Sequence, residues 1–158
     1  MQLRRVTYDQ LSALSHDVFV SDGVTSGSYK FLVIQFQGVY KAGSAGRGDA
    51  LYIVSAVEAA RRAWWAPSTV VDFRELEYTW GDEMEWVAEI GWDRVTRIQA
   101  PFAIVISDKC RKALKSLLEH EFERVCVDTL ESAFERCRAQ EMQWHQQLKE
   151  WRSNRPAP

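Results

Sequence analysis

Eight residues between positions 75 and 86 are the densest group of chemically capable side chains in this chain: Glu75, Glu77, Tyr78, Trp80, Asp82, Glu83, Glu85 and Trp86. Paired carboxylates can move protons or hold a hard cation, provided they converge in one pocket. No histidine lies among them, and the sequence shows local crowding rather than convergence. Aromatic anchors ringed by charge suit a different task, the recognition of a basic protein surface. A second candidate is the loop Lys41-Ala42-Gly43-Ser44-Ala45-Gly46-Arg47-Gly48-Asp49. Its place between an apolar run and a helical pattern is where backbone N–H groups hold an anion. It matches neither GxxxxGK[ST] nor GxGxxG, and Asp49 at the helix start opposes a phosphate.

The remaining reactive residue types are scattered. His16, His120 and His145 show no metal-ligand spacing, and no Gly-x-Ser-x-Gly elbow exists. Cys110, Cys126 and Cys137 form no CxxC pair and sit at apolar positions, which reads as buried free thiols in a reducing compartment. We expect no catalytic centre, no metal and no cofactor. Positive and negative residues nearly balance, at a formal net charge of −2, and basic residues do not interleave with aromatics. Nucleic acid is therefore not an expected partner. No apolar run approaches the roughly 20 residues of a membrane span, and the polar start of the sequence reads as cytoplasmic.

The elements that must position these groups follow from periodicity. At 158 residues the chain is one domain of ordinary size. Thr7-Tyr8-Asp9-Gln10 reads as a capping box opening a short helix over residues 8–15, and residues 21–28 as an exposed turn. Residues 29–40 are rich in β-branched and aromatic types and read as a strand. Ile34 and Phe36 alternate there with Gln35 and Gln37, which points to an edge position. A helix over about 50–65 has Asp49 as N-cap, and Pro67 stops it. Three strand-then-helix units follow. Residues 68–73 lead to a helix capped at Asp82 and stopped at Gly91. Residues 101–107 lead to a helix from Asp108. Residues 124–127 lead to the capping box Asp128-Thr129-Leu130-Glu131. Such succession defines an α/β layer fold, with a mixed or mostly parallel sheet of four to five strands and helices packed on it.

The final helix pattern spans 129–152, roughly 35 Å at 1.5 Å per residue. Leu130, Cys137, Trp144 and Trp151 recur every seven residues, a heptad-like stripe. Either the helix crosses the whole domain as core, or residues 141–158 form a projecting tail. In the second case Trp144, Leu148 and Trp151 bind another chain or a homodimer mate.

The order of elements resembles the STAS family, the sulfate-transporter and anti-sigma-factor-antagonist domains. Val70-Val71-Asp72-Phe73 with Leu76 and the helix start near Gly81 look like the family's Val-Leu-Asp-Leu strand and following helix. Residues 101–106, 111–118 and 125–134 resemble its remaining strand–helix pairs. The resemblance covers about residues 29–138 and implies a regulator that acts by binding a signalling partner. The family carries a phosphorylatable Ser in an Asp-Ser-Ser-Gly type turn. Here Thr79-Trp80-Gly81-Asp82 occupies that stretch, and Asp82 stands about where the Ser would be. Asp82 cannot serve a Ser phosphorylation switch and would be a fixed charge. The expectation is thus a non-enzymatic protein-binding module. A bacterial immunity or antitoxin protein that neutralises a toxin is the alternative within the same class. A small-ligand or nucleotide-binding enzyme using the loop from Gly43 to Asp49 is the alternative outside it.

Overall fold

The computed structural model describes residues 3–21 and 30–154. Five strands form one mixed sheet: β1 (Ser15–Val20), β2 (Phe31–Val39), β3 (Ser68–Glu77), β4 (Phe102–Val105) and β5 (Cys126–Val127). Their spatial order is β1-β2-β3-β4-β5. β1 pairs antiparallel with β2, and every later pair is parallel. The helices are α1 (Arg47–Trp64), α2 (Arg111–Leu118), the single turn α3 (Phe122–Val125) and α4 (Leu130–Ser153), with a 3₁₀ segment at Met84–Glu89. The α/β architecture read from the sequence is the observed one.

Parallel strands that follow one another in chain order, joined by crossovers of one hand, must carry all their crossover elements on one face. Accordingly α1, the Met84–Glu89 segment, α2 and α3 contribute Ile53, Val57, Met84, Val87, Leu114 and Phe122 to a core with Leu32, Ile34, Phe36, Val71, Phe73 and Ile104. α4 follows the last strand and is free to return over the opposite face. There Ala133 and Cys137 join Phe31, Val33, Val70, Ala103, Val105 and Val127. The alternation along β2 sets Leu32, Ile34 and Phe36 on the first face and Phe31 and Val33 on the second, the period of two that a strand dictates.

One irregularity decides where the acidic residues point. The β2–β3 register slips between Gln35, opposite Asp72, and Gln37, opposite Glu75, which places an extra residue in β3. A slip of one residue exchanges the faces of everything beyond it. Leu76 therefore takes the buried side, and Glu75 and Glu77 turn outward. Side chains satisfy the bulge. Asp72, itself buried, accepts from the Arg74 backbone N–H at 3.0 Å and from its guanidinium at 2.7–3.1 Å. Ser107 Oγ donates to the Arg74 carbonyl at 2.8 Å.

Several local expectations are corrected. Residues 8–15 do not form a helix: only Tyr8–Gln10 make a 3₁₀ turn, Thr7 offers no side-chain cap, and Ser15 already begins β1. β2 is not an edge, because the unforeseen β1 pairs outside it. α1 begins at Arg47, so Asp49 lies in its first turn rather than at the N-cap. No helix starts at Asp82; Glu83, at φ 69°, precedes the 3₁₀ segment and provides no side-chain cap. α2 starts at Arg111 rather than Asp108. Residues 124–125 belong to α3, leaving β5 two residues long. The cap of α4 is Thr129, whose hydroxyl accepts from Ser132 N–H at 3.1 Å, and not Asp128. The exposed turn expected at 21–28 lies, apart from Ser21, outside the described residues.

Candidate functional site

The carboxyl ends of β2 and β3 are where an open α/β sheet usually presents its ligand surface. Both the acidic aromatic cluster and the glycine-rich loop meet there. Two tyrosines form the floor. The Tyr40 and Tyr78 rings meet edge-to-face with centroids 5.1 Å apart. Tyr40 Oη donates to the Asp82 carbonyl at 2.7 Å, and Tyr78 Oη to the Gly81 carbonyl at 3.1 Å. Burial, with nearby carboxylates adding to it, raises both phenols, Tyr78 to about 12. They are neutral donors at physiological pH and serve to pin the 81–82 turn.

Trp80 stands above this floor. It is 61% exposed, and its ring packs against Gly43. A Cβ on Gly43 would lie 3.0 Å from the Trp80 ring, and Gly43 has φ +60°, a conformation that glycine adopts without penalty. Asp82 N–H donates to the Gly43 carbonyl at 3.2 Å and joins the two loops. A large exposed ring that already packs against its own chain loses less freedom on binding than a free one, which suits an interface anchor.

The rest of the cluster divides into two groups. Glu75, Glu77, Asp82 and Glu85 are exposed. Glu75 pairs with Lys109 at 2.7 Å, an ion pair in water. The Asp82 carboxylate makes no hydrogen bond among the described residues. Glu83 is half-buried and faces Arg47 Nε at 3.5 Å. Tyr78 and Trp86 serve the fold: Tyr78 is buried, and Trp86 packs against the main core from the 3₁₀ segment.

The glycine-rich loop is filled by its own chain. Asp49 is fully buried, and its carboxylate accepts from Lys41 N–H at 2.7 Å and Ser12 Oγ at 2.6 Å. Lys41 Nζ approaches the same carboxylate at 3.5 Å. Trp144, Leu148 and Trp151 lie apart from the acidic cluster. They are half-buried on the far half of α4, which runs past the amino end of β4, where Gln140 accepts from Phe102 N–H at 2.8 Å. Trp144 lines a groove there with Trp92, Arg97 and Ile98. The structure therefore presents two surfaces rather than one.

All three cysteines are buried and free, and burial holds each thiol above its ordinary pKa. Among the described residues no three His, Cys, Asp or Glu side chains are grouped to hold a metal ion. No described helix is long and apolar enough to cross a membrane.

The sequence reading missed two features. One is the Asp72–Arg74 pair with Gln35, whose signal was a charged residue inside an apolar run with its counter-ion two positions on. The other is the short strand β1, whose first half, Ser15-His16-Asp17, is polar and leaves an apolar run of only three residues. No protein-family model matches the chain, and no curated protein matches it.

Proposed function

We propose that this chain is a non-enzymatic protein-binding module, a STAS-like regulator without a phosphorylatable Ser, whose acidic face at the carboxyl ends of β2 and β3 engages a basic surface on a partner. The observation that carries the reading is Trp80: a 61%-exposed residue whose ring lies against Gly43, in a stretch of chain whose carboxylates Glu75, Glu77, Asp82 and Glu85 are also exposed. A five-stranded mixed sheet with a long terminal helix supports the family resemblance. Asp82, which caps no helix, offers its carboxylate to solvent at the turn. The competing use of the Gly43–Asp49 loop for a phosphate is disfavoured by Asp49, whose buried carboxylate takes the donors an anion would need.

The test compares immobilised wild-type protein with Trp80→Ala and with a triple Glu75→Gln, Glu77→Gln, Asp82→Asn variant against the same extract. A specific partner retained by the wild type should be lost by Trp80→Ala with a fall in affinity of roughly 30-fold. The triple variant should weaken association most at low salt. Undiminished binding by both variants, or strong thermal stabilisation by a nucleotide with no protein partner captured, would refute the proposal.

A further inference from the structure

β1 is the long edge of the sheet, and among the described residues no strand pairs outside it. The other edge, β5, has only two residues. β1 has six, with no proline, no lysine and no bulge, the devices that normally blunt an edge. Its one carboxylate, Asp17, is turned back on the sheet, accepting from Gln37 Nε2 at 2.9 Å. Phe19 is 51% exposed and Val18 37% exposed. Ser21 N–H donates to the Phe31 carbonyl at 3.0 Å. That bond and the β1–β2 register direct the backbone of Ser15, Asp17 and Phe19 toward β2. The N–H and C=O groups of His16, Val18 and Val20 therefore face outward. Alongside runs a groove of about 310 Å³ with Phe19, Phe31, Val33, Leu130 and Phe134 in its lining. It exists because α4 packs over β3, β4 and β5 and leaves the β1 side of that face open.

We propose that β1 pairs antiparallel with β1 of a second copy across a twofold axis, joining two sheets into one. Across such an axis, facing residues must share a face of the sheet, so the axis passes through a residue and not between two. Charge then selects which one. An axis at Asp17 sets two carboxylates against each other. An axis at Val18 sets Asp17 against Phe19 of the second copy. An axis at Phe19 sets Phe19 against Phe19, Val18 against Val20 and Asp17 against Ser21. In this register Val18 and Val20 exchange backbone hydrogen bonds through their outward groups. The two Phe19 rings meet as a close, non-hydrogen-bonded pair and extend the apolar groove of each copy into the other. The acidic face around Trp80 stays free on both copies, so the dimer would present it twice, and the pairing does not depend on that face binding anything.

Sedimentation at roughly 100 μM should show a dimer for the wild type and a monomer for Phe19→Lys that still melts cooperatively. Phe19→Cys should form a disulfide-linked dimer on mild oxidation, since the facing Cα atoms of such a pair lie within disulfide reach. Val95→Cys, an exposed position away from β1, should not. The native thiols are buried and do not compete. A monomeric wild type overturns the proposal. So does a dimer that survives Phe19→Lys, or one lost only when α4 is shortened. A monomer whose capture of a partner protein fails in Phe19→Lys would also overturn it, and would assign the edge to a partner's strand. Trp80→Ala should leave the dimer intact, which separates this result from the test of the acidic face.

Discussion

On one face of the sheet four elements bury large side chains: Phe36, Phe73, Phe102, Ile53, Met84 and Leu114 are all inaccessible to solvent there. On the other face a single helix covers the sheet through Ala133 and Cys137, set among Val70, Ala103, Val105 and Val127. Small residues let α4 approach closely over β3 to β5, and the same closeness leaves Phe31, Phe134 and Phe19 around an open groove beside it. The difference comes from connectivity. Crossovers of one hand assign every connecting helix to the first face, so the second depends on whatever follows the last strand. Stability should reside on the first face, and surface available for association on the second.

The largest expected effect tests that division. Phe73→Ala removes a side chain with no solvent exposure from the closed face and should cost about 3–5 kcal/mol in urea denaturation. Phe134→Ala, on the open face and only half-buried against Phe31 at 4.7 Å between ring centroids, should cost about 1–2 kcal/mol. Equal losses would show that α4 closes its face as fully as the crossover elements close theirs.

What the sequence revealed about these faces follows the strength of its periodic signals. β3, β4 and α1 carry strong apolar patterns, broken in β3 only at Asp72 before Arg74, so their existence and order were legible. Alternation in β2 correctly separated Ile34 and Phe36 from Gln35 and Gln37. Its polar side came from the limited reach of α4 and not from an edge, and that depends on tertiary placement. β1 was illegible because an exposed edge strand needs no apolar run. The expected helix at Asp82 failed for a local reason: the chain must first turn so that Tyr40 and Tyr78 can bind the carbonyls of Asp82 and Gly81, and Glu83 then adopts a left-handed conformation. The acidic cluster was visible as composition. Which members face solvent was set by the β3 bulge, whose cause, Asp72 satisfying the Arg74 N–H, only the structure reveals.

Truncation after Gln140 probes the open face next. It keeps Ala133, Cys137 and the Gln140–Phe102 hydrogen bond, and removes Trp144, Leu148 and Trp151, none of which is fully buried. A cooperative fold should survive with a loss of about 1–2 kcal/mol by chemical denaturation. Loss of the cooperative transition would place the distal half of α4 with the core, and the heptad-like stripe would then be a packing seam.

The smallest effect concerns the hairpin at residues 91–100, which belongs to neither face. Its tip is held by Asp93, whose carboxylate accepts from Thr96 N–H at 2.7 Å and Val95 N–H at 2.9 Å. These bonds, the one from Thr96 first, hold Asp93 below its ordinary pKa. A folded-state pKa lowered in this way gives stability that is complete above the unfolded value, about 3.9, and disappears as pH falls through the folded value. Wild type should therefore exceed Asp93→Ala in melting temperature by a small, constant margin above about pH 5, and the margin should close on acidification. The carboxylate is almost wholly in water, so the margin should be well below the effect of Phe134→Ala. Hydrogen exchange at Val95 and Thr96 should accelerate in the variant while β3 and β4 stay protected. Loss of protection in β4 would show that the hairpin supports the sheet it leads into, and that the two faces are not stabilised from within the sheet alone.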